Sequence, residues 1–210
     1  GLADTFDDDA SVVARLREGG AVLVAKLSTG EMAFGDQWAR GRTNNPWNPV
    51  EGSSGSSAGS AAATAAGLVG FAIGSDTGGS ILSPAVRCGV VGLRPTFGRV
   101  SRHGVMAAGT TLDKIGPICR TVEDCGVVLS VIAGPDGLDL AVPDATPLFW
   151  DAQAKSGPTR IGYVPAMMEA EAKADARANN ARALATLKSM GCELREVSLP
   201  SGDLSYFIEY

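Results

Sequence analysis

The sequence predicts an α/β fold built around a largely parallel sheet. Segments with helical spacing of apolar residues alternate with short apolar runs typical of strands, and the alternation continues along the whole chain. The chain has 210 residues, of which 45% are hydrophobic and 20% are charged. This size and composition are typical of a chain that folds around a hydrophobic core, so we expect an ordered protein.

The first forty residues predict a helix followed by a strand. Asp9 can cap a helix in which Val12 and Leu16 recur at helical spacing, and the glycine pair 19–20 ends it. The apolar run 21–25 then predicts a buried strand.

The next sixty residues predict two loops that flank a helix and a strand. Residues 40–59 have no apolar periodicity, so we expect a loop there. The Ala-rich segment 60–67 predicts a helix that can pack closely against a sheet, because its side chains are small. A strand over 68–73 and a second loop over 74–80 follow, and Pro84 then prevents a helix from passing through that point without distortion.

The second half of the chain continues the alternation. Thr121 is the predicted N-cap of a helix over 122–133, with Asp124 three residues into it. Pro, Gly and Asp residues mark 134–158 as a long surface connection. The last predicted elements are a strand over 160–164, a helix over 169–190 and a strand over 194–197.

Charge and cysteine content exclude several classes of function. The net charge is -5 and no run of Lys and Arg occurs, so we expect no nucleic-acid partner and no binding to an anionic membrane. A zinc site is not expected, because the chain has one histidine and its four cysteines lack metal-type spacing. We expect the cysteines to be buried free thiols. They are Cys88, Cys119, Cys125 and Cys192.

The sequence also predicts no membrane span. No apolar run reaches the length of about 18 residues that a transmembrane helix needs, and residues 1–4 do not resemble a signal peptide. We therefore expect a soluble, cytoplasmic protein.

Two Gly/Ser loops, 52–59 and 74–80, carry the chemical information. A nucleophilic serine needs a tight turn that projects its hydroxyl and aims backbone N–H groups at a developing oxyanion. Gly78 and Gly79, directly before Ser80, permit such a turn. By composition alone, 52–59 is equally consistent with a flexible linker. A phosphate-binding loop is disfavoured, because no Gly-Lys-Ser/Thr follows.

The loops and their flanks together resemble the amidase signature family. The ordered strings that carry the resemblance are NPWNP from Asn45, GSSAGSAAA from Gly55, GSDTGGSI from Gly74, CGVVGLRPT from Cys88 and DKIGP from Asp113. The match is long and ordered over about 9–134, and it is only general beyond about residue 158. The resemblance implies an α/β/α sandwich with a mixed, largely parallel central sheet, incomplete in this chain.

The resemblance also implies one partial signature domain over 1–210. Its core covers about 9–134, the connection covers 134–158, and a further strand–helix–strand unit covers 159–200. We expect the chain to be a fragment of a longer enzyme or a natural truncation.

The roles of the site residues are implied by the same resemblance. Ser80 would be the nucleophile, and Ser56, preceded by a cis peptide bond from Gly55, would relay a proton between Ser80 and a lysine. The backbone N–H groups of Thr77, Gly78, Gly79 and Ser80 would form the oxyanion hole. Supporting residues are Gly55, Ser57, Asp76 and Arg87, and Asp76 would brace the loop through hydrogen bonds, with Arg87 as its partner.

The triad lysine and the residue after Gly-Gly-Ser-Ile depart from the family pattern, and the role of the single histidine is open. The family lysine lies in a Gly-x-Pro-x-x-x-Lys-Asp segment, which these 210 residues do not contain, and Lys26 and Lys114 are weak substitutes. Leu82 stands where the family usually has Arg after Gly-Gly-Ser-Ile. His103 is expected in a turn, with a catalytic role as the minor alternative.

The expected function is therefore hydrolysis of a small-molecule carboxamide through an acyl-enzyme on Ser80, with no metal or organic cofactor. Two alternatives stay open. The chain could be catalytically incomplete, with the lysine coming from another chain, or it could be an amidotransferase-type subunit in a complex. A homo-oligomer is also open.

Overall fold

The computed structural model describes residues 8–143, 148, 150–151, 153–154, 159–171 and 173–199. The chain divides into two compact units, Gly1–Ala152 and Gln153–Tyr210. Part of the connection predicted over 134–158 lies outside the described residues.

The first unit contains four helices, one 3-10 turn and seven strands within its described residues. It begins with α1 (Ser11–Glu18), the 3-10 turn (Glu31–Ala33), β1 (Gln37–Trp38), β2 (Gly41–Arg42), β3 (Asn44–Asn45) and β4 (Asn48–Gly52). It continues with α2 (Ala58–Ala65), β5 (Phe71–Asp76), α3 (Leu82–Cys88), β6 (Val91–Gly92), β7 (Lys114–Cys119) and α4 (Val122–Ile132). β1 pairs with β2 and β3 pairs with β4, both antiparallel.

A three-stranded sheet in the order β5-β7-β6 forms the centre of this unit. β7 is antiparallel to both neighbours, with Asp76 opposite Lys114 and Phe71 opposite Cys119. The mixed α/β class is confirmed, but the pairs described here are antiparallel where a largely parallel sheet was predicted. β5 and β6, joined through α3, do run in the same direction. However, the later strand β7 inserts between them, which the order of elements along the chain cannot reveal.

Helices cover both faces of β7. On one face Ile115 packs with Val12 of α1 and with Leu129 and Ile132 of α4. On the other face Ile118 packs with residues of α2 and α3, namely Ala61 and Cys88, and with Ile81. The side chains of positions 115 and 118 point to opposite faces because side chains alternate along a strand. This arrangement is an α/β/α sandwich, as the resemblance implied.

The predicted helices of this unit are found, with one change at a cap. The expectation that Pro84 interrupts helical structure is wrong, because α3 (Leu82–Cys88) includes Pro84 in its first turn, where the missing N–H has no intrahelical acceptor to lose. Thr121 accepts a hydrogen bond from the Asp124 N–H at 3.1 Å, which confirms the predicted start of α4. The prediction that Asp9 caps α1 is wrong, because the N-cap is Ala10 and no side chain caps the helix. Asp9 forms an ion pair with Arg17 instead.

The predicted buried strand over 21–25 is wrong. The segment forms no strand, and Val22, Leu23 and Val24 are 82%, 61% and 70% exposed. An apolar run favours burial, but a strand also needs a neighbour that satisfies its backbone groups. Within the described parts of the chain, no such neighbour lies beside this segment.

Two further boundaries differ from the predictions. The expected loop 40–59 contains the short hairpin strands β2 to β4, which the absence of apolar periodicity concealed because nearly all of their residues are exposed. The strand predicted over 68–73 begins later, at Phe71. Gly67, with φ of 72°, belongs to the turn that separates α2 from β5, and Leu68 is exposed.

The second unit is a small parallel β-α-β arrangement. β8 (Arg160–Tyr163) and β9 (Glu193–Glu196) pair in parallel, and α5 (Pro165–Glu169) and α6 (Ala174–Ser189) lie between them in the chain. Both predicted strands are confirmed. The helix predicted over 169–190 is found mainly as α6, whose start at Ala174 lies five residues later than predicted.

Two other expectations concern the whole chain. Within the described ranges, no helix combines the length and apolar character needed to span a bilayer. Cys88, Cys119 and Cys125 are buried free thiols, as predicted, and Cys192 is half-buried. Burial raises the pKa of the Cys88 thiol, which is expected for a thiol that packs as a small apolar group.

Candidate active site

The two Gly/Ser loops lie against each other, one before α2 and the other after β5. The Ser57 N–H donates to the Ser80 carbonyl at 3.1 Å. The Ser57 hydroxyl donates to the Ser75 carbonyl and accepts from the Ser75 N–H, each at 3.1 Å. A Cβ at Gly74 would lie 2.7 Å from the Ser57 Oγ, so only glycine allows this approach. Ser57 therefore joins the loops through three hydrogen bonds.

Ser56 lies at the buried end of the first loop. The Gly55–Ser56 peptide bond is cis, as the resemblance implied. Ser56 is 1% exposed, and its hydroxyl has no hydrogen-bond partner among the described residues. The hydroxyls of Ser56 and Ser80 are therefore not hydrogen-bonded to each other in this structure. A buried polar atom without a hydrogen-bond partner is rare and costs free energy, so such atoms in a folded protein often mark a functional site.

Gly55 fixes the path of the chain into Ser56. A Cβ at this position would lie 1.8 Å from the Gly35 carbonyl oxygen, which is a backbone atom that cannot move aside easily. The Gly30 N–H donates to the Ser56 carbonyl at 2.9 Å. The segment 30–35 therefore supports the first loop from outside.

Asp76 shapes the second loop from within. Its side chain is fully buried and accepts hydrogen bonds from the N–H groups of Gly79, Ile81 and Leu82 at 2.7, 2.7 and 3.3 Å. Asp76 therefore contacts three backbone N–H groups of the second loop and its continuation into α3. These bonds impose a tight turn in which Gly79 takes a φ of 122°.

The predicted partner of Asp76 is wrong. Arg94 approaches its carboxylate at 3.4 Å, whereas Arg87 forms an ion pair with Glu51 at 2.6 Å. Arg87 lies at the end of α3 that contacts the β3–β4 hairpin, since its carbonyl accepts from the Asn45 side chain. Arg94 follows β6 and therefore lies nearer to the end of β5.

The predicted oxyanion donors are not equivalent in this conformation. The Gly79 N–H is used by Asp76, as described above. For the N–H groups of Thr77, Gly78 and Ser80, the described residues provide no acceptor. The Gly79 N–H therefore differs from the other three predicted donors, because it already has an acceptor within its own loop.

Thr77 is held at both its side chain and its carbonyl. Its hydroxyl donates to Asp113, which also accepts from the N–H groups of Ala108 and Gly109. Burial raises the pKa of the Asp113 carboxyl, but the hydrogen bonds from Thr77, Gly109 and Ala108 outweigh it and hold the pKa below its ordinary value. Asp113 therefore stays ionised and fixes the start of the loop.

The two lysines weighed in the sequence lie in different surroundings. The Lys114 ammonium donates to the Thr77 carbonyl at 3.3 Å, so it touches the second loop but not the Ser56 hydroxyl. Lys26 is exposed, and no hydrogen bond joins it to either loop within the described ranges.

A cavity of about 670 Å³ opens beside the loops. Ser56, Ser75 and Thr77 line one part of it, whereas the Ser80 side chain is not among its wall residues. The remaining wall includes Met32, Ala33, Arg102, His103, Val105, Met106, Asp113, Ile115, Leu138 and Asp139. His103, which was expected in a turn, thus lies on the same cavity wall as Ser56.

Arg102 and Asp139 form a paired group on this wall that the sequence did not reveal. The Arg102 Nε donates to Oδ2 of Asp139 at 2.8 Å and its Nη2 donates to Oδ1 at 2.9 Å. The hydrogen bond from Arg102 holds the pKa of Asp139 well below its ordinary value, and the same bond raises the pKa of Arg102. The partners are 37 positions apart, and no local pattern marks such a pair.

Comparison with known proteins assigns the family. The amidase family matches residues 3–208. With its two adjoining serine loops in an α/β/α sandwich, the chain belongs to the amidase signature family.

The relatives by sequence include components of amidotransferases. The A subunit of glutamyl-tRNA(Gln) amidotransferase from Roseiflexus sp. (strain RS-1) is 46% identical over 202 residues, which cover 91% of this chain and 40% of the relative. The corresponding protein of Moorella thermoacetica is 46% identical with the same coverage. The chain therefore spans about 40% of the length of these curated relatives.

Solved structures agree with this assignment. The crystal structure of the A subunit of glutamyl-tRNA(Gln) amidotransferase from Thermotoga maritima superposes with a TM-score of 0.85 at 36% identity, over 92% of this chain and 44% of that one. The native peptide amidase from Stenotrophomonas maltophilia gives a TM-score of 0.79 at 34% identity, over 96% and 44%. The chain is thus similar both to a component of an amidotransferase and to a peptide amidase.

Proposed function

We propose that this chain is the nucleophile-bearing part of an amidase-type enzyme that hydrolyses the C–N bond of a small carboxamide. The observation that carries the proposal is the buried, unpartnered hydroxyl of Ser56, held in a loop that is hydrogen-bonded to the loop of Ser80. A relay hydroxyl must accept a hydrogen bond from the nucleophile and donate one to the base, and both positions are open on Ser56 because no described residue occupies them.

The proposed reaction proceeds in two stages. Ser80 Oγ attacks the carbonyl carbon as its proton passes to Ser56, which gives its own proton to a neutral amine base. The protonated base then returns a proton through Ser56 to the nitrogen as the C–N bond breaks. Water then adds to the acyl-enzyme, and Ser80 is released with the acid product. No metal or organic cofactor takes part in these steps.

The oxyanion would be stabilised by backbone N–H groups of the second loop. Thr77, Gly78 and Ser80 offer the free donors, and Gly79 contributes mainly by allowing the turn that Asp76 holds. Removing one such donor in hydrolases typically costs about 100-fold or more in rate.

A neutral amine is the remaining part of the proposed triad. An ordinary lysine has a pKa of about 10.4, so burial must lower it before it can accept a proton at neutral pH. We propose that this amine comes from outside these 210 residues, either from more of the same protein or from another chain. The free Ser56 hydroxyl and the absence of the Gly-x-Pro-x-x-x-Lys-Asp segment support this view.

A fluorophosphonate probe tests the assignment of the nucleophile. We expect the purified protein to be labelled on Ser80, Ser80→Ala to lose the label, and Ser83→Ala to keep it. Ser83 is a matched control, since it lies three residues away and is exposed. Peptide mapping by mass spectrometry gives the modified residue, and labelling that survives in Ser80→Ala would contradict the proposal.

The source of the amine has its own test. If the isolated chain lacks its base, Ser80 should react slowly with the probe. Methylamine at about pH 9, where part of it is neutral, should then accelerate labelling more than the bulkier trimethylamine does. Equal effects of both amines would speak against an amine-binding position beside Ser56.

A second candidate function is that of an amidotransferase-type subunit. The names of the relatives that are 46% identical favour it. The test is copurification of the tagged protein from cells that produce it. A stoichiometric partner that increases amide hydrolysis supports this function, and an active homo-oligomer or monomer contradicts it. The cytoplasmic location stays a prediction.

A further inference from the structure

Lys114 contacts the second serine loop from the neighbouring strand. It is the first residue of β7 and pairs with Asp76, the last residue of β5, so its side chain starts beside the point where the loop begins. Its half-buried ammonium donates to the Thr77 carbonyl at 3.3 Å. Among the described residues, no carboxylate lies within ion-pair distance of this ammonium. Its positive charge is therefore directed at a backbone carbonyl of the loop.

Asp113 and Lys114 together hold Thr77 on two sides. Asp113 accepts from the Thr77 hydroxyl, whereas Lys114 donates to the Thr77 carbonyl. The two positions are adjacent at the start of β7, which is paired with β5 along its whole length. The sheet therefore fixes the orientation of Thr77 and of the peptide group that follows it.

The Thr77 carbonyl and the Gly78 N–H belong to one peptide group. This group is planar and conjugated, so a hydrogen bond to its oxygen withdraws electrons from its nitrogen and makes its N–H a stronger donor. A charged donor such as an ammonium has a larger effect than a neutral one. Gly78 is one of the predicted oxyanion donors, whereas the N–H of Gly79 already donates to Asp76.

We infer that Lys114 is a positioning residue, whose ammonium orients and polarises the Thr77–Gly78 peptide group so that the Gly78 N–H donates more strongly to the oxyanion. This inference rests on the proposed function, because the oxyanion forms only when Ser80 attacks a carbonyl carbon. The role differs from that of the triad base. Lys114 keeps its proton throughout, whereas the base must be neutral before it can accept one.

The polarisation has a direct spectroscopic test in the unreacted protein. Lys114→Met removes the charge and the donors from a side chain of similar length, whereas Lys114→Arg keeps both. Lys26→Met is the matched control, since Lys26 is exposed. We expect the amide ¹⁵N signal of Gly78 to move in Lys114→Met, to stay near its original position in Lys114→Arg and to be unchanged in Lys26→Met. Lys114→Gln, which also removes the charge, replaces Lys114→Met if that variant does not fold.

The catalytic consequence is measured as the rate at which a fluorophosphonate modifies Ser80, with methylamine in every sample. We expect Lys114→Met to lower the maximal rate about three- to tenfold, Lys114→Arg to recover most of it, and Lys26→Met to match the unaltered protein. The probe concentration that gives half of the maximal rate should stay the same, because the negative charge develops only in the transition state. A merely structural role would displace the loop and change both quantities.

The outcomes distinguish this inference from the proposed function. An unchanged Gly78 signal in Lys114→Met, an unaltered maximal rate in that variant, or a loss that Lys114→Arg does not recover would overturn the inference. The proposed function survives those results as long as Ser80 of the unaltered protein is labelled. If Ser80 of the unaltered protein is never labelled, the proposed function fails, and a Gly78 signal that depends on Lys114 still supports the polarisation of this peptide group.

Discussion

At the scale of single residues, Asp76 controls the geometry of the second serine loop. Its fully buried carboxylate accepts three backbone hydrogen bonds and is approached by Arg94, so its loss leaves several buried donors unpaired. We predict that Asp76→Ala lowers the free energy of unfolding by about 2–4 kcal/mol, measured by urea denaturation. Glu51→Ala is the control, because the Glu51–Arg87 pair is exposed and should contribute less than about 1 kcal/mol. Equal losses in the two variants would contradict the role given to Asp76.

Glycine positions around the first loop give a second prediction at this scale. Gly55→Ala places a Cβ against the Gly35 carbonyl, and we expect a loss of about 3 kcal/mol or a failure to fold. Gly70→Ala is a matched control, since no atom lies within 4 Å of its Cβ. Thermal unfolding followed by circular dichroism separates the two variants. A Gly55→Ala protein as stable as wild type would refute the close contact between the loop and Gly35.

At the scale of elements, β7 is the strand on which the sandwich depends. Ile118 is fully buried on the face that α2 and α3 cover. We predict that Ile118→Ala lowers the free energy of unfolding by about 2–5 kcal/mol, because it removes apolar contacts and leaves a cavity. Val86→Ala on α3 should change it by less than about 0.5 kcal/mol, as Val86 is exposed. Denaturant titration checks both, and a small effect at Ile118 would contradict the layered core.

The ion pair between Arg102 and Asp139 joins two segments of the first unit. Because this pair and the contacts of Asp113 need ionised carboxylates, the stability of the fold should depend on pH. The pKa values of Asp113 and Asp139 are lowered in the folded state, so each carboxylate stabilises the protein above its unfolded pKa of about 4. This stabilisation is lost as the pH falls from about 4 toward the folded pKa values. We therefore expect Tm to fall on acidification from pH 7 to pH 3, and to fall less in Asp139→Asn. An equal or larger drop in that variant would contradict the linkage.

At the scale of the whole molecule, the sequence predicts what depends on local chemistry. Thr121 marks the start of α4, the Ala-rich segment forms α2 against the sheet, and the family strings place both serine loops. The position of β7 between β5 and β6 is not predictable in this way, since it depends on long-range pairing. The exposed run 21–25 fails as a predicted strand for the same reason, because apolar residues do not specify a pairing partner.

The candidate site also combines features that local sequence predicts with contacts between residues distant in sequence. The motif places Gly55, Ser56 and Ser57 in one loop by their adjacency in sequence. The Arg94 partner of Asp76 and the Arg102–Asp139 pair arise from contacts distant in sequence, which no local pattern marks. The roles of Ser56 and Ser80 in catalysis stay predictions.

The central claim is that the buried hydroxyl of Ser56 acts with the hydroxyl of Ser80. The most direct measurement is the rate at which a fluorophosphonate modifies Ser80 in Ser56→Ala. Methylamine is added to supply the base that the isolated chain is proposed to lack. The relay predicts a rate at least about 100-fold below that of the unaltered protein, with folding unchanged by circular dichroism. Modification of Ser80 at the unaltered rate in Ser56→Ala would contradict it.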